Sequence, residues 1–86
     1  MTVLFYGSVL EHTSGAESTE IEVSPTLRAL IDALGERFGD SFREFLLGEE
    51  TCVFLVNGGG IVTTGGLNTP LQSSDKIEVL PFVDGG

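Results

Sequence analysis

The sequence is poor in positive charge. Its 86 residues contain four lysines and arginines against thirteen acids, so the formal net charge is −9 and the pI is about 4.1. A chain this acidic does not suit the polyanionic backbone of nucleic acid or an anionic membrane surface. We instead expect a partner with a basic surface, which electrostatic steering would bring to the chain faster. Simple solubility explains the charge equally well.

The sequence also has only one cysteine, Cys52, and one histidine, His12. A single thiol cannot form a disulfide within the chain, and this pair alone makes neither a metal site nor a catalytic triad. Cys52 begins an apolar run and is interpreted as a buried structural thiol, whereas His12 is interpreted as a solvent-exposed loop residue. We therefore predict no metal, no bound cofactor and no catalytic activity of the chain by itself.

Long apolar runs are absent as well. None approaches the roughly 20 residues that a membrane-spanning helix needs, and the N-terminus lacks the basic and apolar regions of a secretory signal. We expect a cytoplasmic location and no contact with a membrane. The length indicates one domain with a small core, and a hydrophobic content of 41% with 20% charged residues is typical of a globular protein.

Hydrophobic periodicity divides the chain into strands and helices. A helical stripe begins after Thr26, the expected N-cap, and Gly39 is placed to end that helix. Gly35 within the helix predicts a close approach of the helix to the sheet. The predicted elements are strands at 2–6 and 19–23, helices at 27–38 and 41–47, and strands at 52–56, 61–63 and 76–80.

Two of these strands carry further information. The run 52–56 is continuously apolar, which predicts a central strand covered on both faces. Asn57-Gly58 follows it and is a strong hairpin signal, so the glycines at 58–60 are interpreted as a turn rather than a phosphate cradle. In the first strand, alternation places Phe5 and Tyr6 on opposite faces, and an exposed aromatic there would suit a partner interface.

The order of elements predicts an α+β fold. The first two strands can pair as a hairpin, and a right-handed crossover through the helix can bring the last strand parallel to the first. This is the β-grasp (ubiquitin-like) arrangement, with a mixed sheet of four to five strands, one main helix on one face and a short second helix. We expect the domain to span 1–80 and a flexible tail to span 81–86.

The tail ends in Gly85-Gly86. Because glycine has no side chain, such an end can enter a narrow tunnel, where its terminal carboxylate could be activated by a partner enzyme. A frayed end of small residues is the plainer alternative. Phe82, just past the last strand, is either a docking anchor for a partner or a residue that covers the sheet edge.

Three segments of the sequence are informative beyond the strand and helix pattern. They are VNG at 56–58, LQSSDKI at 71–77 and PFVDGG at 81–86. With these segments the chain resembles the MoaD/ThiS family of ubiquitin-like sulfur carriers, most closely its MoaD branch (molybdopterin synthase small subunit). The resemblance covers essentially the whole chain, and its specificity lies in the last six residues.

The resemblance implies a function in sulfur transfer. A MoeB-type enzyme would use ATP to adenylate Gly86, and a sulfur donor would convert the adenylate to a thiocarboxylate. The tail, with Gly85, Asp84, Val83, Phe82 and Pro81 as partner-binding residues, would insert into a MoaE-type large subunit. There the sulfur would pass to the pterin precursor of the molybdenum or tungsten cofactor.

The sequence departs from the family pattern at two positions and leaves alternatives open. Phe82 stands where a second proline is common, and Asp84 where a small neutral residue is common. The loop at 65–71 is similar to one in CysO-type carriers, so cysteine or thiamine biosynthesis is an alternative destination for the sulfur. A ubiquitin-like modifier that forms isopeptide conjugates, and a non-covalent β-grasp binding module, remain further alternatives.

Overall fold

The architecture follows from a computed structural model that describes residues 1–22, 25–48, 52–60 and 66–82. Within these residues the chain forms five strands and two helices. In chain order they are β1 (Thr2–Phe5), β2 (Ser18–Glu20), α1 (Leu27–Phe38), α2 (Asp40–Leu47), β3 (Cys52–Val56), β4 (Gly59–Gly60) and β5 (Lys76–Pro81).

The five strands make one mixed sheet in the order β2-β1-β5-β3-β4. β1 is parallel to β5, while the β1–β2, β3–β4 and β3–β5 pairs are antiparallel. The predicted α+β, β-grasp topology is therefore confirmed, including the parallel pairing of the first and last strands. β5 holds the middle position in the sheet. The strand that leads into the tail is therefore paired on both sides, with β1 and with β3.

Helix α1 forms for the local reasons that its sequence indicates. The Thr26 hydroxyl accepts a hydrogen bond from the backbone N–H of Ala29 at 3.2 Å, as an N-cap should. Gly39 ends the helix at a φ of 113°, in the region that favours glycine. The apolar stripe of α1 packs on the sheet and forms most of the core with alternate residues of β1 and β5. Its fully buried members include Leu27, Leu30, Ile31, Leu34, Val3, Ile77 and Val79.

We predicted that α1 approaches the sheet closely at Gly35, and this prediction was wrong. The helix approaches α2 at this point rather than the sheet, since a Cβ on Gly35 would lie 2.7 Å from the Cβ of Arg43. Arg43 lies across the glycine and reaches Asp32, with 2.7 Å between Nη2 and Oδ1. The absence of a side chain at Gly35 thus permits the close contact between the two helices.

His12 is also not the exposed loop residue that we predicted. It follows a 3-10 turn at Gly7–Glu11 and is half-buried. Its ring stacks on Phe45 at a centroid distance of 4.2 Å and on Phe42 at 5.8 Å. The loop before β2 therefore closes over α2, a contact that sequence periodicity cannot reveal.

A set of hydrogen bonds ties the β3–β4 hairpin to the turn that precedes β5. Asn57 and Gly58 take the positive φ values of 52° and 86° that a two-residue hairpin needs, as predicted. The Asn57 side-chain amide donates to Asp75 at 2.8 Å and accepts from the Lys76 N–H at 2.9 Å. The other Asp75 oxygen accepts from the Gln72 N–H at 2.8 Å. Two of the segments that carry the family resemblance, 56–58 and 71–77, therefore contact each other directly.

We predicted that β3 would be covered on both faces, and this prediction was wrong. Only one face of the sheet is covered by the described helices. Phe54 of β3 is buried against them, whereas Val53 and Leu55, which alternate with it, are half-buried on the other face. The predicted return strand at 61–63 lies outside the described residues. Gly59 and Gly60, which we interpreted as part of the turn, instead form β4 and pair with β3. None of the described helices is long and apolar enough to cross a membrane.

Candidate functional site

The end of β5 marks where the chain leaves the sheet. Pro81 is the last residue of the strand and lies opposite Cys52 of β3. Phe82 follows and is 41% exposed. The remaining predicted site residues, Val83, Asp84, Gly85 and Gly86, lie outside the described residues. The structure thus locates the base of the tail, and the roles assigned to its residues stay predictions.

The base of the tail packs against the end of β1 at Gly7. This glycine has a φ of +58°, and a Cβ there would lie 2.9 Å from the Cγ of Pro81. The N–H of the preceding residue, Tyr6, donates to the carbonyl of Val79 at 3.1 Å and continues the pairing of β1 with β5. The pairing of β1 with β5 and the contact of Pro81 with Gly7 therefore constrain the position of the base of the tail.

Tyr6 stands beside this point, exposed to 39%. Phe5 is buried on the opposite face, which confirms that the two rings are on different sides of the sheet. The Tyr6 hydroxyl donates a 2.9 Å hydrogen bond to Glu78 of β5, and this bond raises the pKa of Tyr6. A fixed aromatic ring therefore projects next to the tail, as expected of a partner interface.

The sheet face away from the helices presents an apolar patch, which we call the open sheet face. It is formed by half-buried side chains on the three middle strands, with Val53 opposite Leu80 and Leu55 opposite Glu78. The continuous apolar run of β3 was the signal for this patch. A chain of this length has too few residues to build a second covering layer, so sequence reasoning could have assigned one face of β3 to a partner. Its apolar members are Leu4, Val53, Leu55 and Leu80, and the charged Glu78 lies among them.

Acidic side chains surround the tail end of the sheet. Glu17 precedes β2 and is exposed, and Glu78 lies on β5 beside Tyr6. Lys76 begins β5, at the end of the strand opposite to Pro81. The three arginines all belong to α1 and α2. The site therefore lies among acidic residues, which would attract a basic partner surface.

Among the described residues, no group of three or more His, Cys, Asp or Glu side chains is placed so that it could hold a metal ion. Cys52 is half-buried rather than buried as we predicted, and its Sγ lies 4.0 Å from the carbonyl oxygen of Leu46. The site consists of a tail base, a fixed aromatic ring and an apolar sheet face. Such an arrangement can present a segment of chain to another protein.

Comparisons with known proteins agree with this architecture. The model of the ThiS family matches residues 3–86, which include both helices, all of the sheet except Thr2, and the terminal glycines. No curated protein matches the chain.

Solved structures show the same fold. CysO from Mycobacterium tuberculosis is similar with a TM-score of 0.82 and 26% identity, over 95% of this chain and 98% of that one. A chain in the complex of subunits 1 and 2 of molybdopterin-converting factor from Helicobacter pylori is 30% identical, with a TM-score of 0.65 over 99% and 96% of the two chains. Small archaeal modifier protein 1 from Methanosarcina acetivorans has a TM-score of 0.79 over 99% and 94%, but at 23% identity it shows the fold alone.

Proposed function

Since the chain belongs to the ThiS family of ubiquitin-like sulfur carriers, we propose that it carries sulfur as a thiocarboxylate on Gly86. Members of this family are small carrier subunits without catalytic activity of their own. The observation that carries the proposal is the extent of the family match, which continues through residue 86 and so includes the glycine pair. The catalytic groups then belong to the proteins that receive the tail.

The chemistry starts from a poor electrophile. A carboxylate oxygen of Gly86 attacks the α-phosphorus of ATP on a MoeB-type enzyme, which releases pyrophosphate and gives an acyl adenylate. A donor persulfide then attacks the acyl carbon and displaces AMP. A second thiol cleaves the resulting sulfur–sulfur bond, so the sulfur stays on Gly86 as a thiocarboxylate and the donor leaves as a disulfide. ATP is consumed by the partner, and this chain holds no cofactor.

The shape of the chain supports this role. Only three residues separate Gly85 and Gly86 from β5, so the base of the tail stays close to the open sheet face and to Tyr6. A partner that holds the sheet face would receive the tail at a short, defined distance. The gain is one of proximity, because a positioned reactant meets its catalytic groups at a high effective concentration.

For the sulfur acceptor we propose the pterin precursor of the molybdenum or tungsten cofactor, bound by a MoaE-type large subunit. The 30% identity to a chain in the Helicobacter pylori molybdopterin-converting factor complex supports this acceptor. That complex also shows such a chain bound to a second subunit. The similarity to CysO supports cysteine biosynthesis as the second candidate. In that case the thiocarboxylate would pass its sulfur to an activated amino acid rather than to a pterin.

The test is to incubate the chain with a MoeB-type enzyme, ATP and a sulfur donor, and to analyse it by intact and tail-fragment mass spectrometry. Exchange of a carboxylate oxygen for sulfur adds almost the same mass as oxidation of Met1. The change must therefore be localised to the fragment containing Gly86 and trapped by alkylation. The chain lacking Gly86 is the control, and it should fold but acquire no sulfur.

The outcomes separate the alternatives. Sulfur on Gly86 supports the carrier, and addition of a MoaE-type subunit with precursor, or of a cysteine synthase with its substrate, then identifies the acceptor. An adenylate that proceeds only to isopeptide conjugates would indicate a modifier instead. If an enzyme proven on its own carrier leaves Gly86 unchanged, or if the chain lacking Gly86 acquires sulfur equally, the proposal fails.

A further inference from the structure

A carboxylate stands in the middle of the open sheet face. Strand pairing places Leu4 of β1 and Leu55 of β3 directly opposite Glu78, one on each side. Leu80 follows two positions later in β5 and is therefore on the same face of the sheet. All four side chains are half-buried. The chemistry of the tail does not explain why a charged residue lies among these leucines.

The Tyr6 side chain holds this carboxylate in place. Its hydroxyl donates a 2.9 Å hydrogen bond to Oε2 of Glu78. Within the described residues, ion pairs join Arg43 to Asp32 and the N-terminal ammonium to Glu20. In that part of the chain Glu78 therefore has a neutral hydrogen-bond donor beside it but no cation.

A partner that covers the open sheet face would change the surroundings of this carboxylate. In the free chain Glu78 is half-exposed, so water can solvate its charge. A partner that buries the neighbouring leucines would exclude this water, and a carboxylate that is buried without a cation strongly opposes association. Such a partner therefore needs a cationic group opposite Glu78.

We propose that Glu78 receives an arginine side chain of the enzyme that activates the tail and so selects that enzyme, an inference that rests on the proposed function. Arginine suits the position better than lysine because its guanidinium is more weakly hydrated and loses less on burial. It can also bond both carboxylate oxygens at once, since the Tyr6 hydroxyl occupies only one of about four acceptor sites. The leucines would supply affinity, whereas Glu78 would reject a surface that lacks the cation.

A second copy of the chain would offer Lys76 as the cation instead. Lys76 begins β5 and is exposed on the same face as Glu78. Each copy, however, carries a net charge of −9, and the three arginines belong to the helices. Two open sheet faces would therefore repel each other, which favours a basic partner as the occupant.

The position of Glu78 gives this contact a purpose. Glu78 precedes Pro81 by three residues in the same strand, a distance of about 10 Å at the usual rise of a strand. An arginine held by Glu78 would fix the enzyme at a set distance from the base of the tail. The open sheet face would then bind the enzyme, and the single charged contact would set its register.

The first test measures the binding of the chain to a MoeB-type enzyme by calorimetry, without ATP. Glu78→Gln should raise Kd at least about thirtyfold, the equivalent of about 2 kcal/mol. Glu78→Leu enlarges the apolar face, so it would tighten binding if apolar contact alone mattered, whereas an arginine left unpaired opposite it would weaken binding. Glu44→Gln, on the exposed surface of α2, removes the same charge and should leave Kd unchanged.

Two controls accompany these variants. Tyr6→Phe removes the hydrogen bond but keeps the carboxylate, so it should fold and raise Kd less than Glu78→Gln does. Thermal denaturation checks that each variant is folded. Sedimentation velocity checks the free chain, and a dimer that is lost in Glu78→Gln would assign the face to a second copy and overturn the proposal. Binding of Glu78→Leu as tight as that of wild type would overturn it as well.

The second test identifies the partner residue by labelling the arginines of the enzyme with phenylglyoxal. We expect one arginine that wild type protects and Glu78→Gln leaves reactive, and the absence of such an arginine overturns the contact. ATP–pyrophosphate exchange with an equal KM for wild type and Glu78→Gln would also overturn it while leaving the carrier function standing. Binding that depends on Glu78 but leads to no adenylation would instead uphold the contact and refute the carrier.

Discussion

Replacement of Gly7 by alanine tests whether the end of β1 sets the course of the tail. Two costs add at this position. A non-glycine residue at a φ of +58° costs about 1–2 kcal/mol. The new Cβ would also lie 2.9 Å from the Cγ and 3.2 Å from the Cδ of Pro81, and relieving such overpacking costs a further ~1–3 kcal/mol. The proline ring is held by its pairing opposite Cys52, so the strain displaces the base of the tail.

Gly15→Ala is the matched control, because Gly15 has a φ of +86° and no atom within 4 Å of its would-be Cβ. It carries the backbone cost alone. The effect of alanine on the unfolded chain is common to both variants and cancels. We therefore expect Gly7→Ala to be less stable than Gly15→Ala by ~1–3 kcal/mol, or at least about 4 °C in Tm for a domain of this size.

Chemical denaturation and adenylation kinetics, both measured well below the melting temperature, check this expectation. Gly7→Ala should lower kcat/KM for activation of the tail, and Gly15→Ala should not. Pro81→Ala removes the ring atoms that clash, so adding it to Gly7→Ala should recover part of the lost stability. Equal stability and equal activation of the two glycine variants would show that the contact between Gly7 and Pro81 has no influence on the tail.

Two further predictions concern the scaffold. Gly35→Ala gains about 1 kcal/mol of helix propensity, but relief of the 2.7 Å contact with the Cβ of Arg43 costs ~1–3 kcal/mol, because α2 must move. Urea denaturation should therefore show a net loss of stability of up to about 2 kcal/mol, and a net gain would mean that the two helices separate freely. Hydrogen bonds from the Gln72 N–H and from Asn57 lower the pKa of Asp75. The stability that they contribute is present above the ordinary aspartate pKa and is lost as pH falls through the lowered one. Asp75→Asn should therefore be less stable than wild type at pH 7, with a gap that closes below about pH 4; a gap independent of pH would contradict this assignment.

Local features of the fold could be predicted because they depend on neighbouring residues. The cap at Thr26, the helix stop at Gly39 and the hairpin at Asn57-Gly58 each follow from backbone preferences that act over a few positions. The parallel pairing of the first and last strands follows from element order and crossover handedness. The hypothesis that the terminal glycines carry sulfur also came from neighbouring residues alone, since a glycine pair needs no surrounding structure to be recognised.

Other features depended on which distant residues meet. The apolar run of β3 does not say how many of its faces the chain can cover, and the uncovered face became the open sheet face. Gly35 signals a close approach without naming its partner, which proved to be Arg43. His12 gives no sign of its stacking on Phe45, 33 positions later.

The sequence by itself thus determined the order of elements and the fold class, because hydrophobic periodicity, helix caps and turns depend on residues that are near one another in sequence. Only the tertiary structure decided what stands beside the end of β5, where the predicted tail begins. Tyr6 and Gly7 are neighbours in sequence, but their meeting with Glu78 and Pro81 requires the pairing of β1 with β5 across some seventy residues. A contact of that separation depends on the whole packed sheet, and no local rule specifies it.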